Sequence, residues 1–164
     1  MPLSASVLAR LQHQHQTITD IIGDLPEKDL RQRINPDKWS AFENIAHLTA
    51  YQPVFIGRLR RLQEEETPTF DRYVAEQDPL FPPYLERSLD QLLADIKQQR
   101  SRILAELTGM DETTLAKKGL HPRYGLFTIP QWSEFFLLHE AHHLYTIFIL
   151  VSDGRRGLAG SGKP

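Results

Sequence analysis

Three of the seven histidines fall within five residues, His139-Glu140-Ala141-His142-His143, in a segment otherwise rich in Trp, Phe, Leu and Ile. On a helix, positions i and i+4 share a face, so His139 and His143 can present two imidazoles to one ion. His142 points about 100° away from His143 and does not join them easily. A neutral ring nitrogen is a good metal donor at physiological pH. With no cysteine in the chain, thiolate ligands, disulfides and a cysteine nucleophile are excluded, and any metal must be held by nitrogen and oxygen.

Read literally, residues 139–143 match H-E-x-x-H, the zincin motif with two zinc ligands and a glutamate general base. That reading needs a third ligand downstream. The metzincin continuation wants glycine where Thr146 stands and histidine where Ile149 stands, and Asp153 is the only later carboxylate. A third ligand can come from upstream instead. His47 lies two turns into a predicted helix, on a face shared with Glu43, Tyr51 and Val54 and bordering the apolar stripe of Ile45, Leu48, Phe55 and Leu59. Two helices giving one and two histidines can build a three-nitrogen site in a bundle, with coordination positions left open for a reaction.

Four helical segments must position these groups. Apolar spacing predicts the first over Leu3–Leu25, closed by Pro26. The second opens on a capping box, Ser40 with Glu43, and runs to about Leu62. Pro53 should kink it or split it into two abutting helices. Residues 67–83, with four prolines, read as a long loop. The third helix is expected from about Tyr84 to Leu107, with Gly109 at its end. A second long connector, Met110 to Phe127, leads to a fourth helix that Thr128 caps, with Gln131 as its partner. No stretch reads as a convincing strand. The expected fold is an all-α four-helix bundle over residues 1–152, followed by a flexible tail at 153–164.

Composition limits the function. The 164 residues carry 19 basic and 21 acidic side chains, a net charge of −2, which gives no electrostatic footprint for nucleic acid. No run approaches about 18 consecutive apolar residues, and the N-terminus lacks a signal-peptide pattern. No membrane partner and a cytoplasmic location are therefore expected.

Three stretches carry a resemblance. Ile34-Asn35-Pro36-Asp37-Lys38-Trp39-Ser40-Ala41-Phe42-Glu43-Asn44-Ile45-Ala46-His47-Leu48 resembles the helix-two signature of the DinB/YfiT-like family of metal-dependent enzymes. His121-Pro122-Arg123-Tyr124-Gly125-Leu126-Phe127-Thr128 resembles the loop before that family's last helix. Trp132 through His143 looks like its H-x-x-x-H helix. The resemblance implies an up-down-down-up bundle with a divalent metal, nickel or zinc, on His47, His139 and His143. It also implies a reaction on a small molecule, by hydrolysis or by transfer of a low-molecular-weight thiol such as bacillithiol or mycothiol. A binding module without turnover stays open beside the enzyme.

Glu140 is a candidate base at the edge of the metal face, or else a solvated or hydrogen-bonding residue. Glu43, one turn before His47, either contacts it or serves only the capping box. Tyr51 and Trp132 are placed at the substrate pocket. His15, on the first helix's apolar stripe, reads as a core histidine, and His142 as a packing or hydrogen-bonded one. His121 and Arg123 read as turn residues, with substrate contact as the alternative. An apolar back stripe of Leu137, Leu144 and Phe148 suggests that helix four buries a second face against another subunit, so a homodimer is expected.

Overall fold

The computed structural model describes residues 2–160, with side chains as far as Arg155. Helix α1 (Ala5–His13) starts where the Ser4 hydroxyl accepts the Val7 N–H. A 3-10 turn at Gln14–Gln16 joins it to α2 (Thr17–Ile22), so the first helix is broken where one continuous helix was expected. Gly23 ends α2 at φ +58°, a region that favours glycine. After the short α3 (Glu27–Leu30), α4 (Ala41–Glu64) opens on the reciprocal Ser40–Glu43 capping box and runs unbroken through Pro53.

The single turn α5 (Pro82–Leu85) precedes α6 (Leu89–Thr108). The third helix therefore starts later than expected, at a second capping box made by Ser88 and Gln91. That S-x-x-Q signal is present in the sequence. The turn α7 (Glu112–Leu115) leads into strands β1 (Lys118–His121) and β2 (Gly125–Thr128), then into α8 (Ile129–Gly160). Helix α8 continues past Ser152, where a flexible tail was expected to begin; residues 161–164 of that tail lie outside the described residues.

The chain folds as a four-helix bundle. Helix α4 packs against both α6 and α8, and α1 packs against the same two. Two apolar clusters fill the interior. One centres on Ile18, Ile45, Leu48, Leu92, Ile96 and Ile147. The other centres on Leu11, Phe55, Leu59, Ile103, Trp132 and Phe136, with the Phe55 and Phe136 rings stacked at 4.3 Å. Each fully buried side chain of this size contributes about 1.5–3 kcal/mol.

The second connector forms an antiparallel hairpin where no strand was expected. Its strands are only four residues long, too short for an alternating pattern to stand out. The hairpin is held from outside. Thr69 forms a parallel bridge to Leu120; the Phe70 N–H donates to the Leu120 carbonyl at 3.1 Å, and the Leu120 N–H to the Pro68 carbonyl at 2.8 Å. Gly119 is the tight point of this seam. A Cβ there would lie 2.8 Å from both the Leu62 and Phe70 side chains and 3.1 Å from the Pro68 carbonyl. Leu62 can turn away, but the aromatic ring and the backbone cannot. Gly119→Ala should destabilise the fold by about 1–3 kcal/mol, read as a lowered melting temperature.

Helix α8 explains its own composition. Ile129–Arg155 is long and apolar enough to cross a membrane, at a mean hydropathy of 1.3, although no uninterrupted apolar run suggested it. One side packs in the bundle through Leu137, Leu144 and Ile147. Of the expected back stripe, therefore, only Phe148 faces out, and Leu138, Tyr145 and Ile149 complete the exposed apolar face.

Candidate metal centre

The capping box fixes the start of α4 and hence the direction in which His47 projects. Glu43 is occupied there: its side chain accepts from the Ser40 N–H and pairs with Arg33, and no contact with His47 forms. On α8, His139 and His143 face α4 one turn apart. Each of the three imidazoles offers a ring nitrogen such that all three lie within 4.8 Å of one another. His47 Nε2 and His139 Nε2 are 3.1 Å apart. Two nitrogens bound to one ion at about 2.0–2.1 Å, at an angle near or below the tetrahedral one, would sit about this far apart.

Asn44 settles the third ring. His143 Nδ1 lies 2.8 Å from Asn44 Oδ1, and the Asn44 amide in turn donates to the Ser40 carbonyl at 2.8 Å. With its amide hydrogens engaged there, Asn44 presents oxygen to the ring, so His143 Nδ1 carries the proton and Nε2 is left as the donor atom. Sequence reading missed Asn44, although its place one turn before His47 was visible. The buried Nδ1 atoms of His47 and His139 have no hydrogen-bond partner among the described residues.

Burial keeps all three rings neutral. Desolvation first, and then the neighbouring histidines, push His47 down to about 3, His139 to about 2 and His143 to about 4. A neutral imidazole is the form that binds metal, so the donor set fits a divalent ion. The same shifts set a pH dependence. In the unfolded chain these histidines take up protons below about 6.5, whereas in the fold they resist until well below that. Unfolding then binds protons, and stability is lost as pH falls. The metal-free protein should show a melting temperature that is flat above pH 6.5 and declines steadily from there toward pH 4. Melting curves across that range test it.

The trio lies on the wall of a cavity of about 420 Å³, within the usual range for small-molecule sites. Trp39, Tyr51, Tyr73 and Arg58 also line it. The Tyr51 ring centroid is 4.5 Å from that of His139, and Tyr51 lines the cavity.

Trp132 does not. It is buried under the hairpin, edge-on to Phe70 and Phe127, and is not on the cavity wall. Glu140 is also displaced from its expected role. It is turned into the interior, ion-paired to Arg100, with Gln14 donating to it at 3.0 Å; Arg100 also donates to Gln52 at 3.2 Å. A carboxylate fixed this way has no access to the cavity. Arg100 was missed, yet its place on the apolar stripe of Ile96, Ile103 and Leu107 marked it as a buried charge needing a partner.

His15 is buried apart from the trio; desolvation, with the Arg100 charge next, pushes it down to about 4. His142 is exposed and lines the cavity. His121 Nδ1 accepts the Arg123 and Tyr124 N–H groups, a turn-stabilising role, and its ring packs on Trp132 and Phe135. Arg123 sits over the Tyr124 ring.

The pattern of the whole chain, compared with known families, matches the DinB superfamily over residues 10–147. The chain belongs to the DinB superfamily. Its fold is similar to that of YfiT from Bacillus subtilis, a probable metal-dependent hydrolase with an unusual four-helix bundle topology. The TM-score is 0.73 at 15% identity, over 94% of this chain and 86% of that one. It is also similar to TT2238, a four-helix bundle protein, with a TM-score of 0.62 at 21% identity over 87% of this chain and 95% of that one. No curated protein matches this chain. The sequence stretches that resembled the DinB/YfiT-like family thus lie in a chain with the DinB fold.

Proposed function

We propose that this DinB-superfamily protein binds a divalent ion, nickel or zinc, through His47, His139 and His143 and acts on a small molecule there. The supporting observation is the convergence of three neutral ring nitrogens on the wall of one cavity. Such an ion would supply a Lewis acid with open positions, suited to hydrolysis or to activation of a low-molecular-weight thiol. The chain contributes the rest. Burial keeps the donors deprotonated, Asn44 holds the His143 ring, and the Trp39, Tyr51 and Tyr73 rings wall the site. The chain has no cysteine, so a reacting thiol must come from a cofactor or substrate. That YfiT is described as a probable metal-dependent hydrolase supports the hydrolytic branch.

Binding without turnover is the second reading, favoured by one observation: Glu140, the nearest carboxylate in sequence, is tied to Arg100. Elemental analysis of untagged protein is expected to give about one metal per chain, and finding none would remove the metal reading. Turnover of an ester and electrophile panel, with and without added thiol, separates enzyme from binder. A homodimer through the exposed α8 face is part of the same proposal. Light scattering at micromolar concentration should give twice the chain mass, and a monomer would sink it.

A further inference from the structure

Among the described residues, Arg58 has no carboxylate partner at the wall of this cavity. It lies on α4 in the column of His47 and Tyr51, half-buried, and its guanidinium carbon sits 5.5–5.7 Å from the Phe70, Tyr51 and Trp132 ring centroids. Nη1 donates to the Tyr51 hydroxyl at 2.8 Å and Nη2 to the Asp71 carbonyl at 2.8 Å. Both acceptors are neutral, and among the described residues no carboxylate pairs with it. The exposed carboxylates at the cavity rim are those of Asp71 and Glu76, and the exposed Arg72 stands beside them.

Six other arginines, Arg10, Arg31, Arg33, Arg61, Arg87 and Arg100, each hold a carboxylate. Arg60, Arg72, Arg102 and Arg123 hold none among the described residues, but all four are exposed, whereas Arg58 is half-buried on the cavity wall. Arg58 instead is positioned by rings, a phenol and a backbone carbonyl, with guanidinium N–H groups left over and a cavity in front. Three neutral histidines would leave the charge of a bound divalent ion uncompensated as well. Both fixed features call for negative charge.

We infer that the cavity takes an anionic ligand whose oxyanion, a carboxylate or a phosphate, docks on Arg58. Because the Tyr51 hydroxyl accepts from Arg58, its own proton is free to donate to the same oxyanion. Arg58 fixes charge and position, while the histidine trio faces the rest of the ligand. The inference rests on reading this cavity as the substrate site.

The test is calorimetric titration of zinc-loaded and metal-free protein, at constant ionic strength, with succinate, inorganic phosphate and neutral succinamide. Succinate or phosphate should bind and succinamide should not; which of the two binds tells the carboxylate from the phosphate source. Arg58→Met should weaken the anion at least about tenfold, with zinc stoichiometry unchanged. Arg58→Lys keeps the stem and charge but cannot serve Tyr51, the Asp71 carbonyl and a ligand together. It should also weaken binding, and it carries the test if the methionine variant does not fold. Anion affinity unchanged in the folded variant, succinamide binding as well as succinate, or no anion bound would each overturn the inference. Protein that takes up no zinc but loses its anion with Arg58 would overturn the metal reading and leave this one standing.

Discussion

Protein in which His47 and His139 are both replaced by alanine should bind no stoichiometric metal while keeping its fold. Nitrogen and sulfur sites with four protein ligands hold zinc by about 10–16 kcal/mol, or about 3 kcal/mol per ligand, and two lost ligands then cost about four orders of magnitude in affinity. The fold should tolerate the change, because alanine suits both helix interiors and the one hydrogen bond these rings make between helices, His47 Nε2 to His139 Nε2, loses both partners together and leaves neither unsatisfied. Chelator competition and elemental analysis read the outcome. Equimolar metal in the double variant would refute the ligand assignment. Asn44→Ala provides the graded companion. It leaves the three donors in place but frees the His143 ring, so affinity should fall about 10–100-fold. In the unaltered protein, added metal at about 100 times its dissociation constant should raise stability by about 2.7 kcal/mol, and the double variant should lose that increment.

Much of this site was legible because helix geometry is local. The i, i+4 spacing of His139 and His143, the capping box that starts α4 and the depth of His47 within it are all properties of single helices. What failed depended on which neighbour a face meets. Glu140 sits one residue from a metal-facing histidine, and a helical wheel allows it to border the cavity or turn inward. Arg100 on α6 decides the matter, and pairing across helices is not written in either one alone. Trp132 fails for a different reason. It lies seven residues before His139, on nearly the same face, so it reads as a pocket residue. The hairpin and Phe70 then cover it, and both belong to connectors whose periodicity predicts no fixed place. The late start of α6 is the opposite case, since Ser88 and Gln91 announced it.

Glu140→Ala is expected to be among the most destabilising single substitutions in the chain, at about 3–5 kcal/mol. The carboxylate itself is not the source of most of that cost. Its removal leaves Arg100 fully charged and 1% exposed in the interior, with Gln52 as its remaining partner and the Phe136 ring beneath it. An arginine cannot escape by losing its proton. Gln14 also loses one acceptor, keeping only the Leu137 carbonyl at 2.9 Å. Glu140→Gln should be milder but still costly, because the shape is kept while the charge is not. The double change Arg100→Met with Glu140→Leu removes both charges together and should recover most of the loss, as paired apolar replacements of buried ion pairs often do. Melting temperatures separate this from a catalytic role. If Glu140 acted as a base, Glu140→Gln would abolish turnover at unchanged stability, and the double apolar variant would be as inactive as the single one. If the pair is structural, stability follows the charge imbalance. The folded double variant then keeps its metal, because His139 and His143 project about 60–100° around α8 from Glu140, toward the cavity rather than toward Arg100.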